Sequence, residues 1–421
     1  MGSLMNTPLL FSSIVNNRYQ KNFWQNLRSE ASDGGKFLID LSIKYNPNRF
    51  VSRSGEWSLP WKQDIPDKYN LPNFDSSFNI DYDTVTNIRA EYIKNLINNE
   101  NQKFALMYSG GIDSTLALSA LIKNLNKREL KNIVICLSRQ SIVENPTFYK
   151  KFIWNKFKTI ESLSVKYDDL IERGYRPITA DEGDCIFGTI FGLDFFQHYD
   201  YYVSLLKSDS RNKFIRLKKD VETRCFEDYK ELIIEHFKVK KGEIETDIHF
   251  PELWYRKMLK NIQTSNVPVY TLYDFFWWQI FNLKYVNCAM RCSIYLNDRL
   301  PVRNVVDKVI NWFNSDEYQL WSMVNNNNGE KIQALGVSTY KMASRKYIYD
   351  LDKNPWYFYY KLKLPSLGGS VTFSQDLSKL TVGERPNARF GLDRHYNVLY
   401  IDDMKVKNFI RESILNYRVD W

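Results

Sequence analysis

The sequence predicts an α/β protein, a parallel doubly wound sheet flanked by helices and followed by a mainly helical C-terminal part. Three observations predict it. The apolar run from Phe104 to Tyr108 and the run KNIVICLS are of strand length and bracket a helical segment, which is βαβ spacing. A further run, Pro177 to Thr179, leads into a polar, glycine-containing loop, as strands of such sheets do. Beyond about residue 215 the periodicity turns helical, with long aromatic segments.

Taken in order, residues 1–82 are rich in Asn, Ser, Pro and Trp, with turn clusters YNPN and SRSGEW, and are expected to form an irregular mixed lobe. From Asp83 onward, Val85, Ile88, Tyr92, Ile93 and Ile97 recur at helical spacing, so a helix feeds the first strand. Thr115 to Ile122 reads as the start of a buried helix, and the basic loop NKREL separates it from the second strand. Residues 83–215 are thus expected to be the α/β core and 216–421 the mainly helical region, with Asn325 to Asn328 marking a loop.

Composition narrows the function classes. A chain of 421 residues with Tyr 28, Phe 26 and Trp 11 can bury a large core. Its five cysteines include no CxxC pair, and the expected compartment is a reducing cytoplasm. The four histidines lack metal-ligand spacing, which argues against a zinc hydrolase. The most apolar stretch, TLYDFFWWQIFNLKYV, carries Asp274, Gln279, Asn282 and Lys284, so no membrane span is expected. The net charge of +9 permits a nucleic-acid partner but does not favour one, since basic clusters such as Lys238, Lys240 and Lys241 read first as solvated helix faces.

The stretch FALMYSGGIDSTLAL is the most informative in the chain. Between strand and helix it places Ser109, Gly110, Gly111, Asp113 and Ser114, a turn whose backbone N–H groups and hydroxyls can receive a phosphate. The glycines permit close backbone approach, the serines add donors, and Asp113 can face a phosphate group only through a cation. No GxxxxGK[ST] occurs, so P-loop phosphoryl transfer is disfavoured.

The spacing SGGxDS resembles the signature of the N-type ATP pyrophosphatases, or PP-loop enzymes, which cleave ATP to AMP and pyrophosphate. Within that superfamily ADEGDCIFGT resembles the second loop of the synthetase domain of asparagine synthetases and β-lactam synthetases. The resemblance implies an adenine nucleotide alpha-hydrolase-like (HUP-type) fold, with Asp181 as a catalytic acid–base residue and Asp184 joining Asp113 as a ligand of Mg²⁺. Glu182, Cys185 and Thr189 depart from the family pattern, which bears on the substrate more than on the nucleotide. The segment from Tyr340 to Ser366 resembles the family's late helix and basic loop, with Lys341 and Arg345 in i, i+4 spacing and Lys361 or Lys363, the latter preferred, as the cation that meets pyrophosphate.

The resemblance covers roughly residues 80–365 and implies ATP and Mg²⁺ as cofactors, with adenine near Leu106 and Leu137 at the ends of the first two strands. The expected reaction is adenylation of a small-molecule carboxylate, followed by capture by ammonia or an amine. No Cys precedes Cys136, so no glutaminase half is expected, and nitrogen would come from solution or from a separate amidotransferase. Two alternatives stand beside this reading: a PP-loop enzyme adenylating an RNA base, and a degenerate nucleotide-binding protein.

Overall fold

The computed structural model describes residues 52–54, 66–162, 165–188, 225–231, 233–234, 250–324 and 341–360. The chain divides into two compact units, one of residues 1–79, 184–294 and 319–335, the other of 80–183, 295–318 and 336–421.

The second unit is an α/β fold built on a five-stranded, all-parallel sheet. Its strands are β1 (Lys103–Met107), β2 (Ile133–Leu137), β3 (Lys158–Glu161), β4 (Tyr175–Thr179) and β5 (Ile310–Asn311), in the order β3-β2-β1-β4-β5. Every residue of β2 is buried, as is all of β1 after Lys103, the continuous apolar pattern of strands covered on both faces. Register is fixed by aliphatic neighbours, with Leu106 of β1 beside Ile135 of β2 and Ile178 of β4. From β1 the chain winds outward through β2 and β3, then returns to β4 on the opposite side of β1. The switch point of the sheet therefore lies between β1 and β4, the crevice where open α/β sheets place their ligands.

Two strands escape the sequence reading. β3 is an edge strand of four residues, KTIE, and β5 has two residues within a region expected to be helical. The run expected as the third strand is consequently the fourth.

Helix α1 (Tyr82–Glu100) starts where Asp81 accepts the Thr84 N–H at 2.8 Å and stops at Asn101, whose left-handed backbone (φ 55°) breaks the spiral. Its buried stripe is Tyr82, Val85, Thr86, Arg89, Ala90, Ile93, Leu96 and Ile97, while Ile88 and Tyr92 are exposed. Arg89 displaces them because its guanidinium has an inward task, donating to the Asn311 carbonyl at 2.7 Å. Helix α2 (Ile112–Asn124) begins at Ile112, ahead of the expected Thr115. Gly111 is its extended N-cap, so Asp113 and Ser114 belong to the first helical turn and not to the loop.

The first unit is an aromatic helical assembly. Thr271 and Asp274 form a reciprocal cap for the helix Leu272–Trp278, all seven residues of which are buried, and the chain continues through a wide turn into Tyr285–Tyr295. Two polar residues of its most apolar stretch are structural. Asp274 is part of that cap, and Asn282 accepts the Arg53 N–H at 3.0 Å. The Arg53 guanidinium stacks over Tyr285, 4.0 Å from its ring centre. No helix among the described residues is long and apolar enough to cross a membrane.

Candidate functional site

The loop after β1 is drawn tight by its own hydroxyls. Ser114 Oγ lies 3.0 Å from Ser109 Oγ and accepts the Ser109 N–H at 3.1 Å, while Ser109 Oγ accepts the Gly111 N–H at 3.2 Å. These bonds hold the chain in the reversal that Gly110 makes with φ +75°. A side chain at Gly110 would run into the Ser141 carbonyl and come within 2.9 Å of Glu144 Cβ, so both conformation and space require glycine there. Ser141 and Glu144 belong to helix α3 (Arg139–Glu144), which follows β2 and is capped by Ser138. No side-chain hydrogen bond caps α2, and nine of its thirteen residues, Ile112 and Ser114 to Leu121, are buried.

The second loop meets the first here. Gly183, which follows Asp181 and Glu182 beyond β4, packs so closely on Asp113 that a Cβ would overlap its carboxylate. The two acids between them part company. Glu182 is wholly buried and accepts from the Asn311 amide at 2.6 Å, anchoring the loop to β5, whereas Asp181 is half-buried. Glu182 is thus a support for the loop.

Lys341 comes to the same place from far along the chain. Its ammonium donates to both Asp113 oxygens, at 2.6 and 2.5 Å, with the lysine side chain 1% and the aspartate 22% exposed. Lys341 caps helix α4 (Met342–Asp352) in a left-handed conformation, φ 51°, a backbone strain of about 1–2 kcal/mol for a residue with a side chain. Tyr82 of α1 steadies that start, its hydroxyl 2.6 Å from Ser344 Oγ. Arg345 turns elsewhere, donating to the Phe358 carbonyl at 2.8 Å, so the i, i+4 pair serves two sites.

Tyr357 is a participant that sequence spacing does not reveal. It sits on a short helix, Pro355–Tyr360, over part of a stretch expected to be a basic loop, and its hydroxyl donates to the Gly110 carbonyl at 3.0 Å. Its only local signal is Asn354-Pro355, a helix start, where Asn354 accepts the Tyr357 N–H at 3.3 Å.

The remaining expected residues fall as follows. Leu106 and Leu137 are fully buried in the sheet. Asp184 is half-buried on the first turn of the helix Gly183–Phe187. Lys361 and Lys363 lie outside the described residues. Burial, reinforced by the neighbouring Cys288, pushes the Cys185 thiol well above its ordinary range, making it an inert core residue.

For phosphate, the residues present fit: a glycine turn with no room for a side chain at Gly110, two hydroxyls and a helix start without a side-chain cap. For Mg²⁺ the fit is to an ion carried by a nucleotide. No group of three or more candidate ligands exists among the described residues, and each Asp113 oxygen already accepts from Lys341. Mg²⁺ commonly takes one or two carboxylates and completes its shell with phosphate oxygens and water. No family model, curated protein or solved structure matches the chain.

Proposed function

We propose that this chain is an ATP-dependent, AMP-forming carbon–nitrogen ligase of the asparagine synthetase-like kind, on a HUP-type core. One observation carries the reading: the Gly110–Gly111 turn and the uncapped start of α2 stand at the C-terminal end of β1, beside the loop of Asp181 after β4, at the switch point of a parallel sheet.

In this reading a substrate carboxylate oxygen attacks the α-phosphorus of ATP. The bond from that phosphorus to the bridging oxygen breaks, and pyrophosphate leaves into the turn formed by Ser109 to Ser114. The turn stabilises the leaving group with N–H dipoles fixed before the reaction begins, a preorganised electrostatic contribution. Lys341, buried against Asp113, keeps a positive charge beside the leaving oxygens. Mg²⁺ accompanying the nucleotide would neutralise phosphate charge, with Asp113 the carboxylate placed to share it. Ammonia or an amine then attacks the acyl carbon and AMP departs, with half-buried Asp181 taking the proton that the nitrogen loses.

Nucleotide product analysis tests this. The protein is incubated with ATP, Mg²⁺ and a panel of amino acids, with and without ammonium, and AMP is resolved from ADP. AMP and pyrophosphate appearing only with a particular carboxylate support the reading. Formation of ADP, or ATP binding with no AMP under any condition, overturns it, and AMP that requires added RNA redirects it to base adenylation.

A further inference from the structure

We propose that Tyr357 is a positioning residue that fixes the direction of the Gly110–Gly111 peptide, whose N–H closes the turn on Ser109 Oγ, and with it the shape of the turn that receives the anion. The proposal rests on the reading of that turn as the pyrophosphate site.

The reasoning begins with a weakness of the turn. The approach of Gly110 to Ser141 and Glu144 excludes a side chain there, the next residue is also glycine, and a peptide plane between glycines can flip with little steric resistance. A flipped plane would turn a carbonyl oxygen to where the Gly111 N–H now bonds Ser109 Oγ, breaking that bond and opening the turn. Something must hold the plane.

Tyr357 is built to do so. Its residue is 4% exposed, and its hydroxyl lies 3.0 Å from the Gly110 carbonyl oxygen and 3.2 Å from Thr115 Oγ1. A carbonyl cannot donate, so the single phenolic proton is committed to it. In a trans peptide the C=O and the following N–H point in opposite directions, so holding the Gly110 oxygen towards Tyr357 aims the Gly111 N–H away from it, towards Ser109 Oγ. Burial, with Tyr108 close by, keeps the phenol well above its ordinary pKa, so it remains a donor. The ring is set by its own helix, which Asn354 starts and which Arg345 grips at the Phe358 carbonyl.

The test compares wild type, Tyr357→Phe and Thr115→Val by calorimetry with three probes: inorganic pyrophosphate, ATP and adenosine, each with Mg²⁺. Tyr357→Phe removes one oxygen and keeps the ring. It is expected to weaken pyrophosphate and ATP binding by about five- to tenfold, the scale of one hydrogen bond, and to leave adenosine unchanged. Thr115→Val removes the neighbouring hydroxyl without touching the carbonyl and is expected to change none of the three by more than about twofold. A purely structural role for Tyr357 predicts otherwise: all three probes weaken together, or the melting temperature falls with no change in affinity, and either result overturns the proposal. Equal pyrophosphate affinity in wild type and Tyr357→Phe also overturns it, while the anion site stands. Wild type that binds neither pyrophosphate nor ATP removes the anion site itself, and the proposal with it.

Discussion

The ammonium of Lys341 lies 2.6 Å from Asp113 Oδ1 and 2.5 Å from Oδ2, joining two residues 228 positions apart. The lysine is the deeper partner, with 1% of its side chain exposed against 22% for the aspartate. Losing the aspartate therefore strands a buried ammonium, whereas losing the lysine leaves a carboxylate that water can still reach. Asp113→Asn is expected to destabilise the protein by about 3 kcal/mol or more and Lys341→Met by less, because breaking a buried pair from one side costs about 3–5 kcal/mol. The double variant should recover much of the loss, since no charge is then left unpaired. Urea unfolding of the four proteins measures this, and additive losses would contradict a coupled pair.

The glycines separate strain from crowding. Gly110 and Gly174 both have positive φ, +75° and +80°, but only Gly110 has neighbours within 4 Å of where a Cβ would stand. Gly174→Ala is expected to cost about 1 kcal/mol, the conformational term, and Gly110→Ala a further 1–3 kcal/mol or so for the clash with Ser141 and Glu144. Thermal denaturation gives the difference, and calorimetry with pyrophosphate should show binding lost only in Gly110→Ala.

Adjacent acids should behave oppositely. Glu182→Ala removes the acceptor of the buried Asn311 amide and is expected to cost about 1–3 kcal/mol of stability. Asp181→Ala should stay within about 0.5 kcal/mol of wild type. Under the proposed reaction it should still release pyrophosphate, while amide formation falls by about 100-fold, the contribution of a general base. Parallel pyrophosphate and amide assays separate the two steps.

Asp352 gives the fold a pH signature. Burial raises its carboxyl from 3.8 to about 6, and its Oδ2 has no hydrogen-bond partner among the described residues. Because the folded-state pKa lies above the unfolded one, the folded protein holds this proton more tightly. Its contribution favours folding at low pH and is lost as pH rises from about 4 to about 6. Asp352→Asn, which can keep the bond from the Asn354 N–H, is expected to raise the melting temperature at pH 7 and to flatten that part of the profile. An unchanged profile would show that Asp352 is not its source.

The parts of the fold legible in the sequence are those governed by local chemistry. β1, β2 and β4 announce themselves as short apolar runs, and the glycine turn by its spacing between strand and helix. β3 is not visible because KTIE is an edge strand whose Lys and Glu need no burial, and β5 because two residues carry no periodicity. The start of α2 was displaced because Gly111 caps it with backbone alone, without the Ser, Thr or Asp that marks a helix start. Lys341 and Asp113 each stand in a stretch that the sequence singles out. That they meet, and that Tyr357 reaches Gly110, depends on long-range packing that no local pattern records.

The long span between the turn and its supports has a consequence for synthesis. Gly110 leaves the ribosome 247 residues before Tyr357, a delay on the order of 10–50 s at ordinary elongation rates. Throughout that interval Asp113 lacks its cation and the glycine peptide lacks its tether. A chain that ends before Lys341 therefore lacks both supports of the turn, the cation beside Asp113 and the hydroxyl on the Gly110 carbonyl.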